Sequence, residues 1–199
     1  MFKIVIVSII SYILGNISGS FLISKYAAGV DIRKHGSGNL GATNVLRTLG
    51  TKAALVTLLV DILKGVLAVV LGSLVAGENG QVFAGIFVVI GHNWPILLSF
   101  RGGKGIATTI GVMIAINPYI VALIVPLGII IIIITRYVSL ASITGMIIFP
   151  IAMLFTRQPI KLVLFSFLLS MMAIYRHRSN IERLVKGKES KLGQKSRAR

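Results

Sequence analysis

The chain has 199 residues, 55% of them hydrophobic and 13% charged, with 21 Lys and Arg against 5 Asp and Glu and no cysteine. Together with a mean hydropathy of +0.91, this excludes an ordinary soluble domain and makes the bilayer the solvent. Five acids are too few for carboxylate clusters that hold Mg²⁺, and a cysteine-free chain has almost nothing for structural zinc, so neither metal nor cofactor is expected.

A helix needs about 20 apolar residues to cross a ~30 Å hydrocarbon core, and the runs 2–24 and 53–76 each supply them. The first run extends past a signal-peptide core and lacks a small-x-small cleavage site, so it is expected to be retained as a span. A third span is expected over 81–100, bent or ended early at Gly91-His92-Asn93-Trp94-Pro95, where Pro95 removes a helix donor. Residues 105–135 are too many for one crossing, and Asn117-Pro118 divides them into a short and a full span. A re-entrant hairpin is the alternative for the short segment. Residues 137–175 divide similarly at Arg157-Gln158-Pro159. The expectation is an all-α polytopic membrane protein of about seven transmembrane helices, with the N-terminus outside and the C-terminus cytoplasmic. This orientation puts 17 of the 21 basic residues on the inner face, Lys3, Arg157 and Lys161 outside, and Lys64 within a span. A single membrane domain is expected over 1–189, followed by a mobile polybasic tail over 190–199.

Three segments on the expected inner face carry the chemistry. Residues 36–47 combine Gly36, Gly38 and Gly41 with Ser37, Asn39, Thr43, Asn44 and Arg47. Glycines let backbone N–H groups converge on an anion, short polar side chains add donors, and arginine grips phosphate bidentately; the plainer reading is a solvated connection between spans. Residues 101–109 place Gly102, Gly103, Lys104 and Gly105 before Ile106, Ala107 and Thr108, a phosphate-friendly turn ahead of a helix N-terminus. Leu98 and Gly105 stand where a Walker motif requires Gly and Ser or Thr, so nucleotide hydrolysis is not implied. The third segment follows the last span and sets His177 and Asn180 at i,i+3, on one face of an expected interfacial helix. Within the membrane, Asp61 and Lys64 are expected to pair, because each alone at the bilayer centre costs about 2.5–3.5 kcal/mol. Ser139, Ser142 and Thr144 bond neighbouring backbone or reach the site, and Trp94 reads as an interface anchor.

Ser37 to Arg47, Gly91 to Pro95 with Gly102 to Thr108, and His177 to Glu189 together resemble the bacterial acyl-phosphate-dependent glycerol-3-phosphate acyltransferases. The resemblance implies transfer of a fatty acyl group from acyl phosphate to the 1-hydroxyl of glycerol 3-phosphate, the first step of bacterial phospholipid synthesis, at the cytoplasmic face of the cell (inner) membrane. It also implies membrane lipids as neighbours and no nucleic acid as partner. On this reading His177, Asn180, Lys104, Arg47, Ser37, Asn39 and Asn44 are candidate catalytic residues. Gly38, Gly41, Thr43, Gly102, Gly103, Gly105, Thr108 and Ser142 are candidate substrate ligands, the second-motif glycines for glycerol 3-phosphate. His177 is the obvious inner-face base, and the resemblance also admits the substrate's own phosphate in that role. A transporter of phosphorylated solutes or lipids is the main rival; it predicts paired broken helices in two related halves, which the sequence does not show.

Overall fold

The computed structural model describes residues 1–194; residues 195–199, half of the tail expected over 190–199, lie outside the described residues. Among the described residues every regular element is helical, as the expected all-α class requires. The physical reason is that lipid offers backbone N–H and C=O groups no partners, so apolar runs satisfy them internally. Large apolar side chains such as Leu74, Ile133, Ile134 and Phe155 point outward, as suits a hydrocarbon solvent. Contacts divide the chain into two compact units, residues 1–116 and 117–194.

In the first unit, the run expected as one span is two helices, α1 (Phe2–Asn16) and α2 (Gly19–Ala28), parted at an extended Ile17. Local polar side chains compete with the helix there. Asn16 donates from Nδ2 to Tyr12 O (2.6 Å) and accepts the Leu97 N–H at Oδ1 (3.2 Å), while Ser18 Oγ caps α2 at the Phe21 N–H (3.3 Å). After a short turn over Ile32–Lys34 come α3 (Ala42–Leu49) and α4 (Thr51–Asn93).

A straight helix of 43 residues would run about 65 Å, yet Lys64 and His92 are hydrogen-bonded at 2.8 Å. The helix therefore doubles back. Ala76 (φ −140°) and Gly77 (φ +58°) reverse it, and Gly72 meets Gly80 so closely that a Cβ on either would overlap the other's carbonyl oxygen. Gln81 Nε2 donates to Ser73 Oγ (3.0 Å) beside the turn. The arms 51–75 and 78–93 are the expected second and third spans, and the second ends at the Trp94-Pro95 break. A short turn at Ile96–Leu98 leads to α5 (Ile106–Ile116). Small residues bring these helices together, the usual device where lipid removes the hydrophobic drive for association. A Cβ at Gly65 would strike Thr108 O on α5, and one at Gly91 would strike Tyr12 O on α1.

The second unit contains α6 (Pro118–Thr135), α7 (Val138–Phe155), α8 (Ile160–Arg176) and α9 (Arg178–Val185). Asn117 Oδ1 caps α6 at the Ile120 N–H (3.3 Å), and Arg136 in the left-handed region (φ 62°) turns the chain into α7. Ser170 Oγ on α8 donates to Met146 O on α7 (2.5 Å). Helices α8 and α9 meet at a 60° bend. Past α9, the Leu192 N–H donates to Arg136 O (2.7 Å), so the first part of the expected tail runs beside the start of α7.

Four stretches are long and apolar enough to cross a membrane, namely Phe2–Ala28, Thr51–Leu98, Pro118–Thr135 and Val138–Phe155, and the bent pair α8–α9 makes a fifth. The second of these holds both arms of α4, and α5 is a shorter apolar helix, so all seven expected apolar segments are helical. The chain is a multi-pass membrane protein.

Candidate functional site

The glycine-rich turn ahead of α5 is built directly on the end of α4. The Gly103 N–H donates to His92 O (3.1 Å), and a Cβ at Gly102 would overlap that same carbonyl oxygen. At Gly103 a Cβ would overlap His92 Nε2 and approach Leu40 O, so the turn is pressed between the end of α4 and the loop before α3. Gly105 has φ +80°, a conformation that glycine adopts without strain. This turn delivers the chain to the N-terminus of α5, where unpaired amides and the helix dipole favour an anion. Lys104 lies in the turn half-buried. Thr108 is fully buried in the first turn of α5, its hydroxyl without a hydrogen-bond partner among the described residues.

Against this turn lies the loop 31–44. Asp31 and Arg33 pair through Oδ2 and Nη2 at 2.8 Å, and hydrogen bonding from Arg33 holds the Asp31 carboxyl down to about 2. Ile32, Leu40 and Val45 are buried together with Ala54 and Leu98, which anchors the loop from below. Asn44 is the brace: it donates from Nδ2 to His35 O (3.0 Å) and Ile32 O (3.3 Å), and Oδ1 accepts the Ser37 N–H (2.9 Å). Gly36 (φ +60°) and Gly38 (φ +70°) allow the loop to close around it. Ser37 stays exposed, and Gly38, Asn39, Gly41, Thr43 and Arg47 are half-buried. The first two candidate motifs thus adjoin in one unit, through Leu40 and Gly103.

The second unit holds a separate set. His177 sits at the bend between α8 and α9 rather than within the interfacial helix, and is 3% exposed. Its Nδ1 lies 2.8 Å from Ala173 O; a carbonyl only accepts, so Nδ1 carries a proton and donates it there. Asn180, 5% exposed, donates from Nδ2 to Glu189 Oε1 (2.6 Å). That same oxygen accepts from Ser139 Oγ (2.7 Å), and Oε2 takes Arg183 Nε (2.6 Å). Burial raises the Glu189 carboxyl, but donation from Ser139, Asn180 and Arg183 outweighs it and the net shift is downward. Ser142, another candidate ligand, donates its hydroxyl to Val138 O (2.9 Å) along its own helix.

Two residues with central places in this geometry had no assigned role in the sequence. Glu189 is one of only five acids, and it follows a basic stretch where carboxylates are otherwise rare. His92 stands beside the proline break, yet its ring reaches back to the pair expected at Asp61 and Lys64. That pair forms, with Nζ to Oδ1 at 2.9 Å.

A family model described as glycerol-3-phosphate acyltransferase matches residues 5–187. A glycerol-3-phosphate acyltransferase of Thermoanaerobacter sp. (strain X514) is 48% identical over 192 residues, covering 96% of this chain and 97% of that one. One from Alkaliphilus metalliredigens (strain QYMF) is 52% identical over 191 residues, covering 96% and 97%. Among solved structures, the glycerol 3-phosphate form of PlsY (YgiH), an integral membrane glycerol 3-phosphate acyltransferase, matches with a TM-score of 0.90 at 36% identity, covering 96% of each chain. Its lysophosphatidic acid form matches with a TM-score of 0.87 at 35% identity, covering 96% of this chain and 95% of that one.

Proposed function

The chain belongs to the glycerol-3-phosphate acyltransferase family, and from that membership we propose that it takes its acyl group from a fatty acyl phosphate and delivers it to the 1-hydroxyl of glycerol 3-phosphate. It is a membrane acyltransferase acting on glycerol 3-phosphate. The hydroxyl oxygen attacks the acyl carbonyl carbon, the bond from that carbon to the phosphate oxygen breaks, and 1-acylglycerol 3-phosphate and inorganic phosphate leave. Both substrates carry phosphate, at about −1.5 to −2 each, and the candidate residues are rich in amides and cations. The amides and Lys104 of the turn 102–105, together with Thr108, are assigned to the phosphate of glycerol 3-phosphate. Arg47 neutralises phosphate charge, while Ser37, Gly38, Asn39, Gly41 and Thr43 line the loop beside that turn. Asn44 serves by holding the loop in shape. Asn39 is assigned to the carbonyl oxyanion, a role in which loss of one donor costs about 10²–10³ in rate, and Asn180 holds Glu189.

The leaving group is already activated, so the demanding step is removal of the hydroxyl proton. We assign that proton to the phosphate of glycerol 3-phosphate itself rather than to His177. The reaction then needs no metal and no nucleotide. The distribution of basic residues supports an N-terminus outside and the acyl transfer chemistry on the cytoplasmic face of the bacterial inner membrane, with the acyl chain remaining among membrane lipids.

The observation that carries the reading is the glycine turn on the N-terminus of α5, inside a chain of the glycerol-3-phosphate acyltransferase family. Purified protein given acyl phosphate and glycerol 3-phosphate in the presence of a chelator is expected to release phosphate and form the lyso-lipid. An absolute need for acyl-CoA or for a divalent metal would refute the donor assignment.

A further inference from the structure

Beneath the glycine turn lies a polar cluster that the reaction as assigned does not use. Asp61 and Lys64 on the first arm of α4 and His92 on the second are each at least 95% buried by side chain. Lys64 Nζ lies 2.8 Å from His92 Nδ1, 2.9 Å from Asp61 Oδ1, 2.7 Å from Ile17 O and 3.2 Å from Gly15 O. An ammonium has donors only, so His92 Nδ1 accepts and the imidazole proton sits on Nε2. That Nε2 edge lies against Gly103, where a Cβ would overlap it, and the carbonyl of the same His92 holds the Gly103 N–H at 3.1 Å. His92 therefore grips the middle of the glycine turn by backbone and by ring, and Lys64 fixes the ring. The two arms also meet beside their reversal, at Gly72 and Gly80.

We propose that Asp61, Lys64 and His92 are positioning residues that set the glycine turn 102–105 for its phosphate ligand, an inference that rests on the reading of that turn as the glycerol 3-phosphate site. The chain of action runs from Asp61, which compensates the buried ammonium, through Lys64, which orients the imidazole, to His92, which sets the height of Gly103. None of the three touches the reacting atoms. The effect of losing the cluster is thus confined to the affinity of one substrate.

The test uses the double variant Asp61→Asn with Lys64→Met, which removes both charges together and leaves neither orphaned in the membrane. It is expected to fold with a lowered melting temperature, because the Gly15 and Ile17 carbonyls lose their donor, and with the KM for glycerol 3-phosphate raised by roughly tenfold or more, the scale of a misplaced binding group. The KM for acyl phosphate and kcat should stay near the parent values. A merely structural charge pair predicts a folded double variant with the parent KM, and that result overturns the proposal. His92→Asn, a neutral exchange that keeps an acceptor near Nδ1 but withdraws the ring from Gly103, decides the matter if the double variant does not fold. It too should raise the glycerol 3-phosphate KM selectively, and an unchanged KM overturns the cluster's role. Gly103→Ala is measured beside them. If it raises the same KM while the cluster variants do not, the turn remains the substrate site and only the positioning role falls. If Gly103→Ala itself leaves that KM unchanged, the site assignment falls first and the inference with it.

Discussion

Glu189 shows how much one carboxylate organises among the single residues of the second unit, since Ser139, Asn180 and Arg183 all donate to it. Its folded-state pKa lies below the ordinary 4.5. The stabilisation it provides is therefore complete above that ordinary value and is lost as pH falls through the lowered one. Thermal melting across pH should show the parent losing stability on acidification over that interval. Glu189→Gln should be less stable at neutral pH and should lack this part of the acid dependence. A Glu189→Gln profile parallel to the parent at every pH would remove the carboxylate from the account. His177 permits a second test at the same scale. If the substrate phosphate takes the proton, His177→Ala keeps measurable turnover and mainly loses substrate affinity. A fall in kcat of about 10²–10⁴ in a folded protein, the usual contribution of a general base, assigns the proton to Nε2 instead.

Among the elements, the α4 hairpin makes the sharpest prediction. A Cβ at Gly80 meets the backbone of Gly72, which cannot swing aside as a side chain would. Gly80→Val should therefore destabilise the protein by about 1–3 kcal/mol, as overpacking does. Gly128, within α6, has nothing within 4 Å of a built Cβ, and Gly128→Ala should be neutral or stabilising by up to about 1 kcal/mol. Melting temperatures of the two variants in one detergent compare them directly, and equal effects would remove the close approach from the explanation. The contrast also marks what the sequence reveals at this scale. Breaks at Trp94-Pro95, Asn117-Pro118 and Pro159 are legible because proline acts locally, on its own helix donor and its own neighbour. The break at Ile17 is not, because part of what satisfies it is Lys64, 47 residues further on. The same holds at the site. The glycine turn and its lysine announce an anion, whereas the bracing by Asn44, the hub at Glu189 and the grip of His92 depend on partners that only the folded chain brings near.

Taken whole, the molecule separates charge from hydrocarbon strongly enough to be tested by chemistry in intact cells. The chain has no cysteine, so single cysteines can be placed without a background. On the proposed orientation, cysteines at Glu78 and Gln158 react with a membrane-impermeant maleimide from outside, and those at Lys52 and Lys188 react only after permeabilisation. The reverse labelling pattern would invert the topology and move the acyl transfer site to the other face. The break in the first helix bears on a different matter, the order in which the chain is made. The carbonyls of Gly15 and Ile17 that receive Lys64 belong to a segment synthesised before Lys64, whereas His92 follows it in the chain. An ammonium that must enter a bilayer thus finds acceptors waiting in the preceding span. The interruption between α1 and α2 thus offers the charge of the following helix two backbone acceptors that an unbroken helix would have kept for itself.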